Sequence, residues 1–367
     1  MNILYLTNHI NIGGITSYVL TLAKGLRQRG HRVYIASSGG KLLLRFAEEK
    51  AAYVHIPIRT KSEISPKIII SLFKLSGLVR KNNIDIVHSN SRTTQVLGSL
   101  LKNLTHTPHI STCHGFFKKR LSRRLFPCWG DRVIAISEAV KEHLAGDFHV
   151  REEKISIIKH GIDVNNYRVP STEYRAEIKR KIGLGEGPVA GIVARLSEEK
   201  GHIYLIEAIK KAAEQIPNVQ LLIVGEGRMK EKLLNLTKGL GLEKRIFFLP
   251  SVLNTQEVLS AMDVFVLPSL KEGLGFSLIE AMACSLAVIG SDIGGIRSLI
   301  KDRYNGLLVK PADSQGLANA ILELLNDSAR RKTLGENGRL FVNENFTEEK
   351  MVLETERIYL KCLNLKK

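Results

Sequence analysis

Residues 263–292, DVFVLPSLKEGLGFSLIEAMACSLAVIGSD, decide how the chain folds. Four apolar residues, Val264 to Leu267, read as a buried strand that stops at Pro268-Ser269. A loop follows with Glu272 between Lys271 and Gly273, and a second glycine at Gly275. A helix then opens near Phe276 and carries Glu280 about one turn in. A glycine-rich turn from strand to helix gathers backbone N–H groups at the positive end of the helix, which suits a phosphate. Two carboxylates beside that point suit sugar hydroxyls, because ionised carboxylates only accept hydrogen bonds. A phosphate next to sugar hydroxyls describes a nucleotide sugar.

The same strand–turn–helix unit repeats on both sides. Strand candidates are 3–7, 33–37, 54–58, 84–88, 109–113, 133–137 and 155–159, then 189–194, 219–224, 246–249, 264–267, 287–289 and 306–309. Apolar strands alternating with helices imply parallel sheets covered on both faces. The expected class is α/β, two doubly wound parallel-sheet domains facing a cleft. At 367 residues the chain exceeds one ordinary core. The boundary is expected at the polar stretch near residue 168, giving domains 1–168 and 169–350. Residues 351–367 are expected to form a helix that could return to the first domain. Ligands in such sheets bind beyond the carboxyl ends of the strands.

Charge is uneven. The net +18 divides into +15 over residues 1–168 and +3 over the rest. Nucleic acid, an anionic membrane surface or an acidic substrate could each account for the basic half. No nucleic-acid motif is present, so nucleic acid is not expected as a partner. No apolar run reaches transmembrane length, and the N-terminus reads as a strand rather than a signal peptide. The four cysteines show no metal-ligand or CxxC spacing and are expected to be reduced thiols. No Asp-x-Asp occurs, so a metal bridging a diphosphate is not expected.

Further candidates sit after strands. Gly13-Gly14 in the first loop would let a ligand approach the backbone. Arg195 and Lys200, in Ala194-Arg195-Leu196-Ser197-Glu198-Glu199-Lys200-Gly201, place two cations at a helix entry and suit a diphosphate. His114 follows the fifth strand and is a candidate functional group; His88, also after a strand, is more plausibly structural. Residues 116–126, FFKKRLSRRLF, interleave Lys118, Lys119, Arg120, Arg123 and Arg124 with apolar residues and read as a membrane-surface element. The helix 66–81 is a second such candidate.

These motifs in order resemble family 4 of the GT-B-fold retaining glycosyltransferases, of the kind that builds lipopolysaccharide and other cell-surface glycans. The resemblance spans nearly the whole chain. It rests on Gly13-Gly14, His114-Gly115, Ser137-Glu138, His160-Gly161-Ile162-Asp163, Arg195 to Gly201, Gly225-Glu226-Gly227, Glu272-Gly273-Leu274-Gly275-Phe276, Glu280, Gly294-Gly295 and Asn305-Gly306. It implies that Arg195 and Lys200 hold the donor diphosphate and stabilise the leaving nucleotide without a metal. Glu280 would bind the ribose, and Glu272 the transferring sugar. Gly273, Leu274, Gly275 and Phe276 would contact sugar and phosphates through the backbone. Gly14 would admit the donor, and His114 would reach the sugar. Front-face substitution assisted by the leaving phosphate is the usual proposal, so Glu272 is not read as a nucleophile. Two departures stand out: Ser285 where the family often has glycine, and Ser298 where it often has glutamate.

The expected function is therefore retaining transfer from a UDP- or GDP-sugar, with no cofactor or metal, to a glycan or lipid-linked acceptor. The expected location is peripheral, on the cytoplasmic face of the inner membrane. A soluble acceptor is the weaker alternative. A sugar-nucleotide epimerase is less favoured by the Glu272/Glu280 spacing. A nicotinamide oxidoreductase lacks its ribose acid, since Ser37-Ser38 end the second strand.

Overall fold

The computed structural model describes residues 1–60, 62–167 and 169–364. The chain forms two compact units, Met1–Ile162 with Glu348–Lys367, and Asp163–Thr347. The expected boundary residue 168 and the last residues, 365–367, lie outside the described residues.

The first unit holds seven strands: β1 (Asn2–Leu6), β2 (Arg32–Ser37), β3 (Ala52–His55), β4 (Ile86–Ser89), β5 (His109–Cys113), β6 (Arg132–Ala135) and β7 (Ile155–Ile157). They order as β3-β2-β1-β4-β5-β6-β7, all parallel. The second unit holds β8 (Val189–Val193), β9 (Gln220–Val224), β10 (Ile246–Leu249), β11 (Val264–Leu267), β12 (Ala287–Ser291) and β13 (Leu307–Val309). Their order is β10-β9-β8-β11-β12-β13, again all parallel. Both sheets are doubly wound: the chain runs outward from a central strand, then returns to its other side. Every predicted strand is present; 109–113, 246–249 and 264–267 match at both ends, and the other ends move by at most three residues. β3 starts and stops earlier than expected, because Ile56 and Ile58 turn into the core after the strand ends.

The crossing to the second unit comes at Asp163, earlier than expected from composition. Asp163 caps a short 3-10 turn, Val164–Asn166, by accepting from the Asn165 amide at 3.2 Å. Tyr167 is then held by Arg339, whose Nη1 donates to the Tyr167 carbonyl at 2.7 Å. Those contacts place the crossing segment with the second unit.

The returning helix, Glu348–Asn364, completes the first unit's core. Met351, Val352, Ile358, Tyr359 and Cys362 are buried against the helix Gly14–Gln28 and the sheet. The Tyr359 hydroxyl lies 2.7 Å from that of Tyr5 and 2.6 Å from His88 Nδ1. His88 Nε2 reaches Thr112 Oγ1 at 2.7 Å, and Thr112 meets the Tyr18 hydroxyl at 3.1 Å. His88 thus has both ring nitrogens engaged in the core, as the structural reading expects.

Candidate functional site

The order of the second sheet reverses between β8 and β11, which pair through Val264↔Ala190 and Phe265↔Gly191. Loops leaving two such strands diverge to opposite faces and open a crevice at the switch point. The loop after β8 carries Arg195 and Lys200; the loop after β11 carries Glu272. The two loops are sewn together. The Leu270 amide donates to the Glu199 carbonyl at 2.8 Å. Gly201, at φ +70°, lies so close to the β11 loop that a Cβ would come within 1.9 Å of the Pro268 carbonyl oxygen. Only glycine tolerates both the conformation and the approach.

Lys200 and Glu272, separated by 72 residues, form an ion pair between Nζ and Oε2, both side chains largely buried. Ser269 Oγ donates to the same carboxylate oxygen at 3.4 Å. An ammonium has three donors, so Lys200 keeps capacity for a second anion beside Glu272. Arg195 is different. Its side chain is 72% exposed and, among the described residues, meets only Glu199, at 3.9 Å, so the loop positions its backbone but not its charge.

Downstream, Gly275 at φ +86° turns the chain into the helix Phe276–Ala283. Leu274 is 2% exposed, which restricts it to backbone contacts with any ligand. The Gly295 amide donates to the Glu272 carbonyl at 3.2 Å and braces the loop from β12's side. Glu280 is 7% exposed. Its Oε1 accepts from Tyr167 Oη at 2.8 Å and Thr255 Oγ1 at 2.9 Å, while Oε2 accepts nothing among the described residues. Burial raises its carboxyl to about 7, against the two hydroxyls that favour the charged form. Tyr167 and Thr255 were not predicted. Their contacts span 113 and 25 positions, so no local spacing reveals them.

In the first unit, His114 follows β5. Its Nε2 donates to Asn90 Oδ1 at 3.1 Å and its ring meets the Tyr18 ring edge-on at 4.8 Å. Burial lowers it to about 3, so it is a neutral donor at physiological pH. A Cβ at Gly14 would touch nothing within 4 Å, so the open backbone there is not a packing requirement of the protein.

The basic segment needs one correction. Arg123 does not face outward: its side chain is 11% exposed, stacks on Phe117 at 4.5 Å and lies 3.8 Å from Glu63. The helix is only five residues, Leu121–Leu125, and Arg123 falls on its inner side. Lys119 pairs with Asp147 at 2.8 Å. Lys118, Arg120 and Arg124 are exposed. Ser285 takes the left-handed conformation (φ 57°) that the usual glycine would adopt, and still stops the helix. Ser298 donates to the Gly295 carbonyl at 2.7 Å, within its own turn.

Among the described residues no three His, Cys, Asp or Glu side chains converge on one point. No helix among them is long and apolar enough to cross a membrane.

Two Rossmann-like units, with a cation–carboxylate pair and a buried carboxylate at the switch point of the second, define a GT-B-fold glycosyltransferase. Comparison with known proteins supplies the family. Residues 174–341 match the model of the glycosyl transferases group 1, and residues 12–166 that of glycosyltransferase family 4. The UDP-Gal:α-D-GlcNAc-diphosphoundecaprenol α-1,3-galactosyltransferase of Escherichia coli is 32% identical, over 80% of this chain and 79% of its own. The N-acetyl-α-D-glucosaminyl L-malate synthase of Bacillus anthracis is 26% identical, over 98% and 96%. Anabaena HepE in complex with UDP-glucose superposes with a TM-score of 0.87 at 23% identity, over 98% of this chain and all of that one. The chain belongs to glycosyltransferase family 4. That membership sets aside the oxidoreductase and epimerase readings.

Proposed function

We propose that the enzyme transfers a sugar from a UDP-sugar, with retention of configuration and without a metal, to a lipid-linked acceptor of the cell-surface glycan or lipopolysaccharide type. The Lys200–Glu272 pair at the switch point, with Glu280 buried on the helix that this loop enters, is the observation that carries this reading. Lys200 would hold the diphosphate, and Arg195 would swing from solvent to join it. Together they oppose the charge that grows on the leaving phosphate, which is the part of the work a metal performs elsewhere. Each charge-assisted contact is worth about 1.5–3 kcal/mol. The amides of Gly273 to Phe276 at the helix start would meet phosphate and sugar. Glu272 would accept from the sugar hydroxyls, and Glu280 Oε2 from the ribose. His114 and the open backbone at Gly14 are proposed for the sugar and the donor approach.

The choice of UDP over GDP is supported by the Escherichia coli relative, whose name specifies UDP-Gal, and by the HepE complex with UDP-glucose. The same relative's diphosphoundecaprenol acceptor supports a lipid-linked substrate, and hence peripheral placement on the cytoplasmic face of the inner membrane. Lys118, Arg120 and Arg124 would meet the anionic surface. A soluble acceptor is the second reading, favoured by the name of the Bacillus anthracis relative.

The test is a thermal-shift panel of UDP, GDP, ADP and NAD with EDTA present, followed by NMR of the sugar released from UDP-glucose and UDP-galactose. The expected results are stabilisation by UDP, and an α-sugar as the first product. A shift that needs added metal, or a β-sugar first, would overturn the metal-free or the retaining part.

A further inference from the structure

We infer that Glu63 fastens two separate segments, the helix Pro66–Lys81 and residues 116–126, into one docking face for an anionic lipid bilayer. This extends the membrane half of the proposed function to a second element and a fastener.

The helix Pro66–Lys81 carries an unusual outer face. Its inner face buries Ile68, Ser71, Leu75, Ser76 and Val79, so two serines are spent on the core. Ile69, Ile70 and Phe73 instead face solvent, with Phe73 68% exposed. A helix on a soluble domain ordinarily turns its apolar stripe inward and its serines outward. Just before it, Ile64 is 93% exposed. In the other segment Leu121, Leu125 and Phe126 are exposed, Leu121 by 71%. Seven large apolar side chains in two neighbouring segments are more than scattered surface residues.

Glu63 joins the segments. Its Oε2 accepts from Arg92 Nη2 at 2.9 Å, and its Oε1 lies 3.8 Å from Arg123. Arg92 is itself buried and donates onward to the carbonyls of Phe126 at 2.7 Å and Pro127 at 2.7 Å. One carboxylate therefore holds the loop bearing Ile64 and the short helix bearing Leu121 and Leu125. The inward turn of Arg123 is the consequence, and leaves Lys118, Arg120 and Arg124 outside.

Charge chooses the occupant. Residues 57–130 contain 13 Lys and Arg but two acids, Glu63 and Asp85. Glu63 is consumed by the fastener, and the Asp85 carboxylate accepts from the Asn2 amide at 2.7 Å. Two acids reach these cations from outside the segment, Asp131 pairing with Lys102 and Asp147 with Lys119, so both are engaged. A protein interface ordinarily mixes signs, whereas exposed apolar side chains on segments with this excess of cations match acyl chains beneath anionic headgroups. The face also begins two residues after His114, so docking would set the β5 loop against the bilayer where a lipid-linked acceptor emerges.

The experiment is vesicle co-sedimentation of the full chain at low and high salt. The probes are phosphatidylcholine vesicles with and without phosphatidylglycerol. The expected result is binding to the anionic vesicles at low salt, with part retained at high salt. Lys118→Ala/Arg120→Ala/Arg124→Ala should weaken it about 100-fold. Phe73→Ser/Leu121→Ser should abolish the salt-resistant part. Both sets alter exposed residues, so unchanged melting is the control. Glu63→Gln should speed trypsin cleavage at residues 118–124 and weaken vesicle binding in a chain that still binds UDP. No sedimentation with anionic vesicles at low salt would overturn the docking face, as would a dimer in light scattering that Phe73→Ser disrupts. Wild-type trypsin resistance and binding in Glu63→Gln would overturn the fastener. None of these outcomes depends on nucleotide binding, which is measured separately.

Discussion

Burial of Glu280 sets ligand binding against stability. A folded-state value near 7, raised from 4.5, means the native chain holds a proton that the unfolded chain releases across that window. Stability therefore falls as pH rises from about 4.5 to 7, by an amount on the order of 1–3 kcal/mol. Glu280→Gln keeps an acceptor for Tyr167 and Thr255 but carries no charge. In urea melts it should be more stable than wild type by that amount at pH 8, with the gap closing toward pH 4.5. Its UDP affinity should nonetheless drop about tenfold or more, because a charge-assisted bond to the ribose is lost. Equal stability at pH 8 would contradict the burial argument. Tyr167→Phe removes a donor that favours the carboxylate, so the acid limb of UDP binding should move to higher pH in titration calorimetry. An unmoved limb would show that the Tyr167 contact does not govern Glu280. The sequence made Glu280 legible because helix and loop chemistry are local. Tyr167, Thr255 and Glu63 were illegible because their partners lie 25 to 113 positions away.

Helix ends and loops carry the next level. The helix Phe276–Ala283 stops at a serine in left-handed conformation, a state that costs an L-residue with a Cβ about 1 kcal/mol relative to glycine. Ser285→Gly should therefore stabilise the second unit by about 0.5–1 kcal/mol, read as a higher urea midpoint, with UDP affinity unchanged. Lower stability would mean that the Ser285 hydroxyl makes a contact worth more than the strain. Strands were readable because parallel strands buried on both faces are nearly continuous apolar runs. The basic segment was only partly readable. Its composition gave five cations, but which one turns inward depends on Glu63, whose location opposite Arg123 is a tertiary fact.

At the scale of the molecule, the chain visits the first unit twice, and composition could suggest the returning helix but not its depth of burial. Truncation before Glu348 would uncover the core face that Met351, Val352, Ile358 and Tyr359 cover, and strip Tyr5 and His88 of a hydrogen-bond partner. The single tryptophan, Trp129, lies buried in the first unit between Phe117 and Phe148 and reports on that unit alone. Its emission should shift to the red in the truncated chain; an unchanged spectrum would mean the helix is dispensable. The measurement that bears most directly on the whole account is calorimetric titration of UDP, in EDTA, into wild type, Lys200→Met and Glu280→Gln. Wild type should bind, and each variant should lose about tenfold or more, placing the nucleotide across the β8 and β11 loops. Absence of binding to wild type, or wild-type affinity in both variants, would contradict it.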